Sequence, residues 1–424
     1  MPDTVSHPKD ALEAADQNPH YVRSVTEMGE MQEIVAHEDI YAANGMKLLA
    51  KGARIDRSKW EHLTAHKLKA PLDMLLVASG TMDQVAIAGE ADKLFASDPL
   101  LVRLGARSGD PLGFKFTLGR LSLPHPIAFR LTVMHADRQP LFHHSLRTAV
   151  IAHFLGVQLK LSETQKDDLL LAALCHDLGE MHTDPALLDN GRRIDGEERR
   201  FIHVHPITGY VVLQELKAAS PDVLQAVLQH HERLDGSGYP YGLADAKVGR
   251  LARIIAVSET LEAVTRRFDL ARLDVILRLN QKRLDAVAVK ALRELLQSEL
   301  HAAEPASQET NAAHRLLRLS DILQKWKPIG KRIENESANE PLRFLADRMS
   351  MLHSLMLQAG IYPDSAAVLD LASHDNGVLD ELLATLGEID RLLDEFAFEI
   401  ERRTESHVEC QGMALELVQL MRSG

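Results

Sequence analysis

The chain has 424 residues, which exceeds the usual size of one domain, so we expect two or three compact units. Its formal net charge of −13 argues against a broad electrostatic surface for a DNA or RNA duplex or for an anionic membrane. Apolar residues make up 45% of the chain and aromatic residues only 4%, and this Leu- and Ala-rich composition favours a mainly α fold.

The cysteines and the apolar stretches bear on the cellular compartment. Cys175 and Cys410 stand far apart and form no CxxC pair, so we expect neither a disulfide framework nor a thiolate zinc site. No segment approaches the roughly 20 apolar residues that span a bilayer, and the first residues are too polar for a signal peptide. These features predict a cytoplasmic protein that does not cross a membrane.

The N-terminal part is predicted to be a small α+β module. Residues 1–25 are expected to form a flexible arm. Glu33–Ile55 then contains two short apolar stretches joined at Asn44-Gly45, a dipeptide that favours a hairpin because both positions tolerate positive φ. A helical pattern follows, which extends the module over residues 26–90. Its role as a docking module or as a sensor of a small ligand remains open.

The rest of the chain is predicted to be helical. Residues 91–135 have a helical pattern that several glycines and prolines break, and they are expected to form a connector into the helical region. Apolar residues recur with a period of 3.6 over residues 136–300, which predicts a helical bundle. A polar run begins at His301, so residues 301–424 are expected to form a separate C-terminal helical region for packing or for homodimerisation.

Chemistry-bearing residues recur through this predicted bundle. The set consists of His144, His176, Asp177, His205, His230 and His231. Its members on different helices are separated by 25 to 32 residues, about the length of a helix, a turn and part of a return helix. Side chains at such intervals can converge at one level of an antiparallel bundle. His143 competes with His144 for the first position, and we favour His144.

These residue types predict a site for two divalent metal ions. Imidazole nitrogens and carboxylate oxygens suit Fe, Mn and similar ions, although the set does not identify the metal. Five histidines and one aspartate exceed what a single tetrahedral zinc requires. A pair of ions about 3.5–4 Å apart, with Asp177 between them, would use the set fully and could polarise a phosphate.

Two segments carry a resemblance to a known family. The sequences HHERLDGSGYP, from His230 to Pro240, and CHDLGE, which contains His176-Asp177, resemble the HD-GYP branch of the HD-domain metal-dependent phosphohydrolases. The resemblance covers about Phe142 to Arg267 and implies an all-helical domain. Members of this family hydrolyse cyclic di-GMP to the linear dinucleotide pGpG, and some continue to GMP.

The resemblance also implies roles for individual residues. The family's metal-binding histidines fall on His144, His176, His205, His230 and His231. Its HD aspartate falls on Asp177, which would bridge two ions and take part in catalysis with His176. The family's GYP motif falls on Gly238, Tyr239 and Pro240, which would help to shape the substrate pocket. Tyr239 would stack on a guanine, bind a phosphate or simply pack.

The chain departs from the family pattern at several positions. Glu259 stands where the family has its last metal-binding aspartate, and it is expected either to bind a metal or to turn outward. Glu262 replaces the second acid of that segment. Glu180 stands where the family usually has a lysine, so the local charge is reversed. Pro140 replaces a glutamate that adds a third metal in some members, which predicts two ions here.

The resemblance implies a metal-dependent phosphodiesterase that acts on a cyclic dinucleotide, most simply cyclic di-GMP. Arg266 and Arg267 follow the last acid and are expected to supply charge for phosphate, unless they are simply exposed at a helix end. An inactive or weak cyclic-dinucleotide sensor is the alternative that Glu180 and Glu259 favour. A phosphohydrolase for another nucleotide is the third hypothesis.

Overall fold

The computed structural model describes residues 19–187, 196–267, 270–296, 309–335, 340–358, 376–404 and 408–422. The fold is mainly α, as the composition predicts. The chain divides into two compact units. The first comprises the residues up to Ala263 together with Arg283–Leu296, and the second comprises Val264–Lys282 and the residues from Gln297 onward. None of the described helices is both long and apolar enough to cross a membrane.

The first unit begins with short strands and helices. These are α1 (Pro19–Met31), β1 (Ile34–Ala36), β2 (Ile40–Tyr41), β3 (Lys47–Leu49), α2 (Trp60–Thr64), α3 (Leu72–Leu75) and β4 (Leu76–Ala78). Strand β1 pairs with β4 and strand β2 with β3, both antiparallel. The predicted hairpin at Asn44-Gly45 is confirmed, because Gly45 adopts a φ of +86° in the turn between β2 and β3.

The flexible arm predicted over residues 1–25 is wrong from Pro19 onward, because a helix begins there. Residues 1–18 lie outside the described part of the chain. From Pro19 onward the backbone is helical, and Tyr21, Val22 and Val25 are buried. This burial favours a helix over a flexible arm because it removes apolar surface from water.

The connector predicted over residues 91–135 consists of short helices, as its broken helical pattern indicates. They are α4 (Gln84–Ser97), α5 (Pro99–Ser108), α6 (Gly113–Arg120) and α7 (His125–Asp137). Pro99 stands in the first turn of α5, where proline is tolerated, and Gly109 closes that helix in the left-handed conformation. Pro99 and Gly109 therefore mark the two ends of this helix.

The helices that follow include those that carry the metal-binding candidates or end just before them. They are α8 (Gln139–Gln158), α9 (Glu163–Cys175), α10 (Gly196–His203), α11 (His205–Glu215), α12 (Pro221–Gln229), α13 (Arg250–Arg267) and α15 (Ala286–Leu296). Between α9 and α10 lies a short 3₁₀ turn, Leu178–His182. Helix α9 begins with a capping box between Ser162 and Gln165, as its sequence predicts.

The second unit is a helical bundle. Its helices are α14 (Leu270–Leu279), α16 (Glu309–Asn335), α17 (Glu340–Gln358), α18 (Asn376–Thr404) and α19 (Val408–Arg422). The predicted boundary at residue 300 does not match this division. Leu279 packs into the apolar core of the second unit, and the side-chain amide of Asn280 donates a 2.5 Å hydrogen bond to Glu388. These contacts place Val264–Lys282 with the C-terminal helices.

A close backbone approach in the first unit gives a test of this packing. A Cβ atom added to Gly179, in the 3₁₀ turn, would meet the carbonyl oxygen of His205 in α11. We expect Gly179→Ala to lower the free energy of unfolding by about 1–3 kcal/mol, because backbone atoms must move apart. Thermal unfolding followed by circular dichroism measures this change.

Gly119→Ala provides the matched control. Gly119 lies in helix α6, and a Cβ atom there would have nothing within 4 Å. Alanine also favours a helix over glycine, so this substitution should not lower the melting temperature. An equal melting temperature for Gly179→Ala and the unchanged protein would contradict the close packing of the turn against α11.

Candidate metal centre

Helix ends bring most of the candidate histidines together. His176 directly follows α9, His230 directly follows α12, and His205 opens α11. His144 lies within the first turns of α8. All four are buried or nearly so. A side chain at the end of a helix can leave the helix axis and point toward a shared centre.

Backbone carbonyl groups orient three of these rings. The Nδ1 atom of each ring donates a hydrogen bond to the carbonyl oxygen three residues earlier, at 2.8 Å for His176 and 2.7 Å for His205 and His230. This contact assigns the proton of the neutral ring to Nδ1. The lone pair of Nε2 is then directed to the centre of the site, as is typical of metal-binding histidines.

The carboxylate of Asp177 lies between two pairs of imidazole rings. Its Oδ2 atom is 3.1 Å from Nε2 of His176 and 3.3 Å from Nε2 of His144. Its Oδ1 atom is 3.2 Å from Nε2 of His205 and 3.4 Å from Nε2 of His230. Each oxygen of one carboxylate therefore faces a different set of nitrogen donors.

These atoms form two donor groups, each compact enough to hold a metal ion. One group consists of His144, His176 and Asp177, and the other consists of Asp177, His205, His230 and His231. Within each group the donor atoms lie within 4.8 Å of one another. Imidazole nitrogens with a carboxylate oxygen are a donor set that suits divalent transition metals. The residues therefore fit the predicted pair of ions, with Asp177 shared.

The pKa shifts show that this site favours a positive charge. Burial raises the pKa of Asp177, but the neighbouring imidazoles of His176, His144 and His205 have the larger combined effect. They hold this pKa well below its usual range. Burial lowers the pKa of His205, yet Asp177 raises it to about 9. The pKa of His144 is likewise raised well above its usual range, despite burial, by Asp177 and Glu262. Cations would meet the same field that here favours protons.

Two further histidines stay neutral. Burial and the neighbouring imidazole of His176 lower the pKa of His230, although Asp177 opposes this. Burial and the neighbouring rings of His230 and His205 hold the pKa of His231 well below its usual range. A neutral imidazole has the lone pair that a metal requires.

Glu262 orients His144, a role that sequence analysis did not assign. Its Oε2 atom accepts a 2.7 Å hydrogen bond from Nδ1 of His144, and its side chain is fully buried. A carboxylate on the second ring nitrogen fixes the orientation of a metal-binding histidine and increases its basicity. The sequence offers two signals: Glu262 stands at the second acid of the family's segment, and it follows Glu259 by three residues, which places both on one side of helix α13.

Residues 131–286 match the family described as "HD domain". This part of the chain is an HD domain. Related sequences include a cyclic di-GMP phosphodiesterase of Pseudomonas aeruginosa, 32% identical over 34% of this chain and 35% of the relative. A 3'3'-cGAMP-specific phosphodiesterase of Vibrio cholerae is 35% identical over 31% of each chain. The cyclic di-GMP phosphodiesterase response regulator RpfG of Xanthomonas campestris is 33% identical over 28% of this chain and 32% of that protein. The matches thus span about a third of each relative's length.

Within the HD domain, Glu259 lies beside the second donor group. Its Oε2 atom is 3.8 Å from Nδ1 of His231. Among the described residues this oxygen is buried without a hydrogen-bond partner, and Glu259 belongs to neither donor group. A buried carboxylate oxygen without a hydrogen-bond partner has a lone pair that a metal ion could use. The expected role of Glu259 in metal binding stays a prediction.

Glu180, which stands where the family usually has a lysine, lies in the 3₁₀ turn of the HD domain. Its backbone amide donates a 2.9 Å hydrogen bond to the carbonyl oxygen of Asp177 in the 3₁₀ turn. Burial, together with the negative charge of Asp177, raises the pKa of its carboxyl group to about 7. The carboxyl group therefore belongs to the electrostatic environment of the metal centre.

Tyr239 is packed between imidazole rings. Its ring stacks on His203 at 3.8 Å between centroids with an angle of 5°, and on His231 at 4.6 Å with an angle of 27°. These stacked contacts leave little of either face for a guanine. The packing role that sequence analysis left open fits this geometry, in which Tyr239 supports His231.

The loop after the double histidine is fixed by a buried carboxylate. Glu232, which the sequence did not single out, accepts hydrogen bonds from the amides of Tyr241 at 2.8 Å and Leu243 at 2.9 Å. A Cβ atom at Gly238 would meet the backbone at His231 and Glu232. Gly238 and the buried Pro240 therefore shape the loop, and a contact of either residue with substrate stays a prediction.

The remaining candidates are His143, Arg266 and Arg267. His143 is partly exposed, with Nε2 3.6 Å from a carboxylate oxygen of Glu90, so the structure places His144 and not His143 in the centre. Arg266 is exposed and belongs to the second unit. The side chain of Arg267 lies outside the described part of the chain.

Metal content tests the shared carboxylate. We expect the protein loaded with Mn²⁺ to hold two ions per chain, and Asp177→Ala to lose both, because both donor groups lose an oxygen. His205→Ala should weaken the binding of the ion in its own donor group and leave the binding of the other ion, at His144 and His176, intact. Mass spectrometry of metals in the desalted protein measures these ratios.

His62→Ala is the matched control for the loss of an imidazole. His62 is an exposed residue of helix α2 and belongs to neither donor group. Its substitution should leave the metal content unchanged. Equal retention of metal by Asp177→Ala and His62→Ala would show that Asp177 does not bind the ions.

Proposed function

We propose that this chain is a metal-dependent phosphodiesterase that hydrolyses a cyclic dinucleotide, with cyclic di-GMP as the first candidate. The observation that carries the proposal is the carboxylate of Asp177, whose two oxygens face two different donor groups. The names of the related proteins support the substrate class, since they include phosphodiesterases for cyclic di-GMP and for 3'3'-cGAMP.

The residues of the chain would act mainly by holding and orienting. The Nε2 atoms of His144, His176, His205 and His230 and both oxygens of Asp177 would bind two divalent ions. Such ions polarise a phosphate, lower the pKa of a bound water and stabilise the departing oxygen. Glu262 holds the ring of His144, and Tyr239 supports that of His231. Rigid placement of these groups lowers the cost of reorganisation during the reaction.

The assay compares two substrates on the same protein. The full chain is loaded with Mn²⁺ or Fe²⁺ and incubated with cyclic di-GMP and, in parallel, with 3'3'-cGAMP. Chromatography follows the linear products. We expect turnover of cyclic di-GMP, and we expect His176→Ala and Asp177→Ala each to lower it by about 100-fold or more, since loss of outer-sphere partners alone costs 10–100-fold.

The other outcomes separate the alternatives. Faster turnover of 3'3'-cGAMP would support the proposed phosphodiesterase activity but would make 3'3'-cGAMP, and not cyclic di-GMP, the preferred substrate. Tight binding of a cyclic dinucleotide without product would favour the sensor that Glu180 suggests. If the protein neither binds nor hydrolyses these dinucleotides, the proposal is contradicted, and a phosphohydrolase for a different nucleotide is favoured.

The charge at position 180 is expected to limit the rate. A carboxylate near a phosphate opposes the negative charge that develops during hydrolysis. We therefore expect Glu180→Lys to raise kcat by about tenfold, which corresponds to a barrier lowered by about 1.4 kcal/mol. Glu259→Asp should raise activity as well if the shorter side chain suits the metal better.

Glu38→Lys makes the same charge change at an exposed position of the first unit and should leave kcat unchanged. A rise of similar size in this control would assign the effect to net charge. An unchanged or lower kcat in Glu180→Lys would contradict the proposed limit.

A further inference from the structure

A buried polar cluster lies between the N-terminal elements and the turn that follows Asp177. We name it the Arg130 cluster, and it consists of Tyr21, Asp73, Arg130 and His182. None of these side chains belongs to a donor group of the metal centre. All four residues are buried. Tyr21 and Asp73 come from α1 and α3, Arg130 from α7, and His182 from the 3₁₀ turn.

The contacts within the Arg130 cluster are directional. Nη2 of Arg130 donates a 2.5 Å hydrogen bond to Oδ2 of Asp73, and the hydroxyl of Tyr21 donates to Oδ1 of the same carboxylate. Nη1 of Arg130 lies 2.8 Å from Nε2 of His182. Burial and the charge of Arg130 hold the pKa of His182 well below its usual range, so its neutral ring accepts this hydrogen bond.

Ring stacking adds a second constraint. The guanidinium carbon of Arg130 lies 3.9 Å from the centroid of the Tyr21 ring. The rings of Tyr21 and His182 are stacked with their centroids 5.3 Å apart. A buried ion pair adds little net stability compared with apolar packing of the same volume, but it restricts its partners to one arrangement. The effect of the cluster is therefore mainly geometric.

The 3₁₀ turn connects His182 of this cluster to Asp177 of the metal centre. Asp177 precedes the turn and His182 ends it. The amide of Glu180 donates to the carbonyl of Asp177 at 2.9 Å, and the amide of Thr183 donates to the carbonyl of Glu180 at 3.0 Å. Gly179 lies against the backbone of His205. A turn this short and this closely packed has little freedom, so a shift at His182 displaces the carboxylate that both donor groups share.

We propose that Arg130 and His182 are positioning residues for the metal centre, and that the N-terminal elements set its geometry through Tyr21 and Asp73. This inference rests on the proposed function only in requiring that the site binds divalent metal. It gives the N-terminal elements a means of regulating the HD domain, because a ligand or partner that moves α1 or α3 also moves the turn.

The test uses Co²⁺ bound to the full chain, because the visible absorption of Co²⁺ reports its coordination geometry directly. His182→Phe keeps a ring to stack on Tyr21 but removes the acceptor for Arg130. We expect it to weaken Co²⁺ binding by about tenfold, the lower end of the effect of outer-sphere partners, and to shift the absorption bands. His182→Gln returns an acceptor and should restore most of the affinity and the spectrum.

Asp73→Asn extends the test to the N-terminal elements. It removes the charge that holds Arg130 while keeping the shape of the side chain. We expect it to weaken Co²⁺ binding and to shift the absorption bands in the same direction as His182→Phe, but by less. Thr132→Val is the matched control. Thr132 also lies in α7, is buried, and accepts a 2.9 Å hydrogen bond from the amide of Met82, but it has no contact with the cluster among the described hydrogen bonds.

The outcomes separate this inference from the proposed function. Unchanged Co²⁺ affinity and spectrum in folded His182→Phe and Asp73→Asn would overturn the positioning role while leaving the function intact. The same shift in Thr132→Val would reduce the effect to general destabilisation and also overturn it. Failure of the unchanged protein to bind Co²⁺ would count against the proposed function itself, and this inference would fall with it.

Discussion

A single buried carboxylate organises the first unit of this protein. Asp177 is almost inaccessible to solvent, and the rings of His144, His176, His205 and His230 surround its two oxygens. Burying a negative charge is costly unless positive charge or hydrogen-bond donors compensate for it. The fold supplies that compensation by ending helices α9 and α12 and beginning α11 at one level, so the architecture and the electrostatics of the site are inseparable.

The surrounding residues protect the arrangement from several sides. Carbonyl oxygens fix three of the rings, and Glu262 fixes His144. On the side of His231, the stacked ring of Tyr239 provides support. At the end of the turn that follows Asp177, Arg130 contacts His182. The contacts to the histidine rings of the donor groups restrict each ring without competing for its Nε2 atom, which is how a site gains precision at low cost.

The sequence predicted the clustered histidines better than it predicted the residues that support them. The set of His144, His176, His205 and His230, which the structure brings together, could be predicted because helical spacing and motif order are local properties that survive folding; their role as metal ligands stays a prediction. The hydrogen bond between His144 and Glu262 joins residues more than a hundred positions apart and depends on where the fold places α8 and α13, which no local pattern encodes. The stacking of His203 on Tyr239 was missed for the same reason. Over residues 91–135, prolines and glycines predicted breaks in a helical pattern, and the fold uses Pro99 and Gly109 as helix boundaries.

The account depends on one carboxylate being shared by two ions. Electron paramagnetic resonance of the protein loaded with two equivalents of Mn²⁺ tests this most directly, since ions about 3.5–4 Å apart and bridged by a carboxylate couple their spins. We predict the signal of a coupled pair, which is lost in Asp177→Ala. A spectrum of isolated Mn²⁺ ions in the unchanged protein would contradict the central role of Asp177.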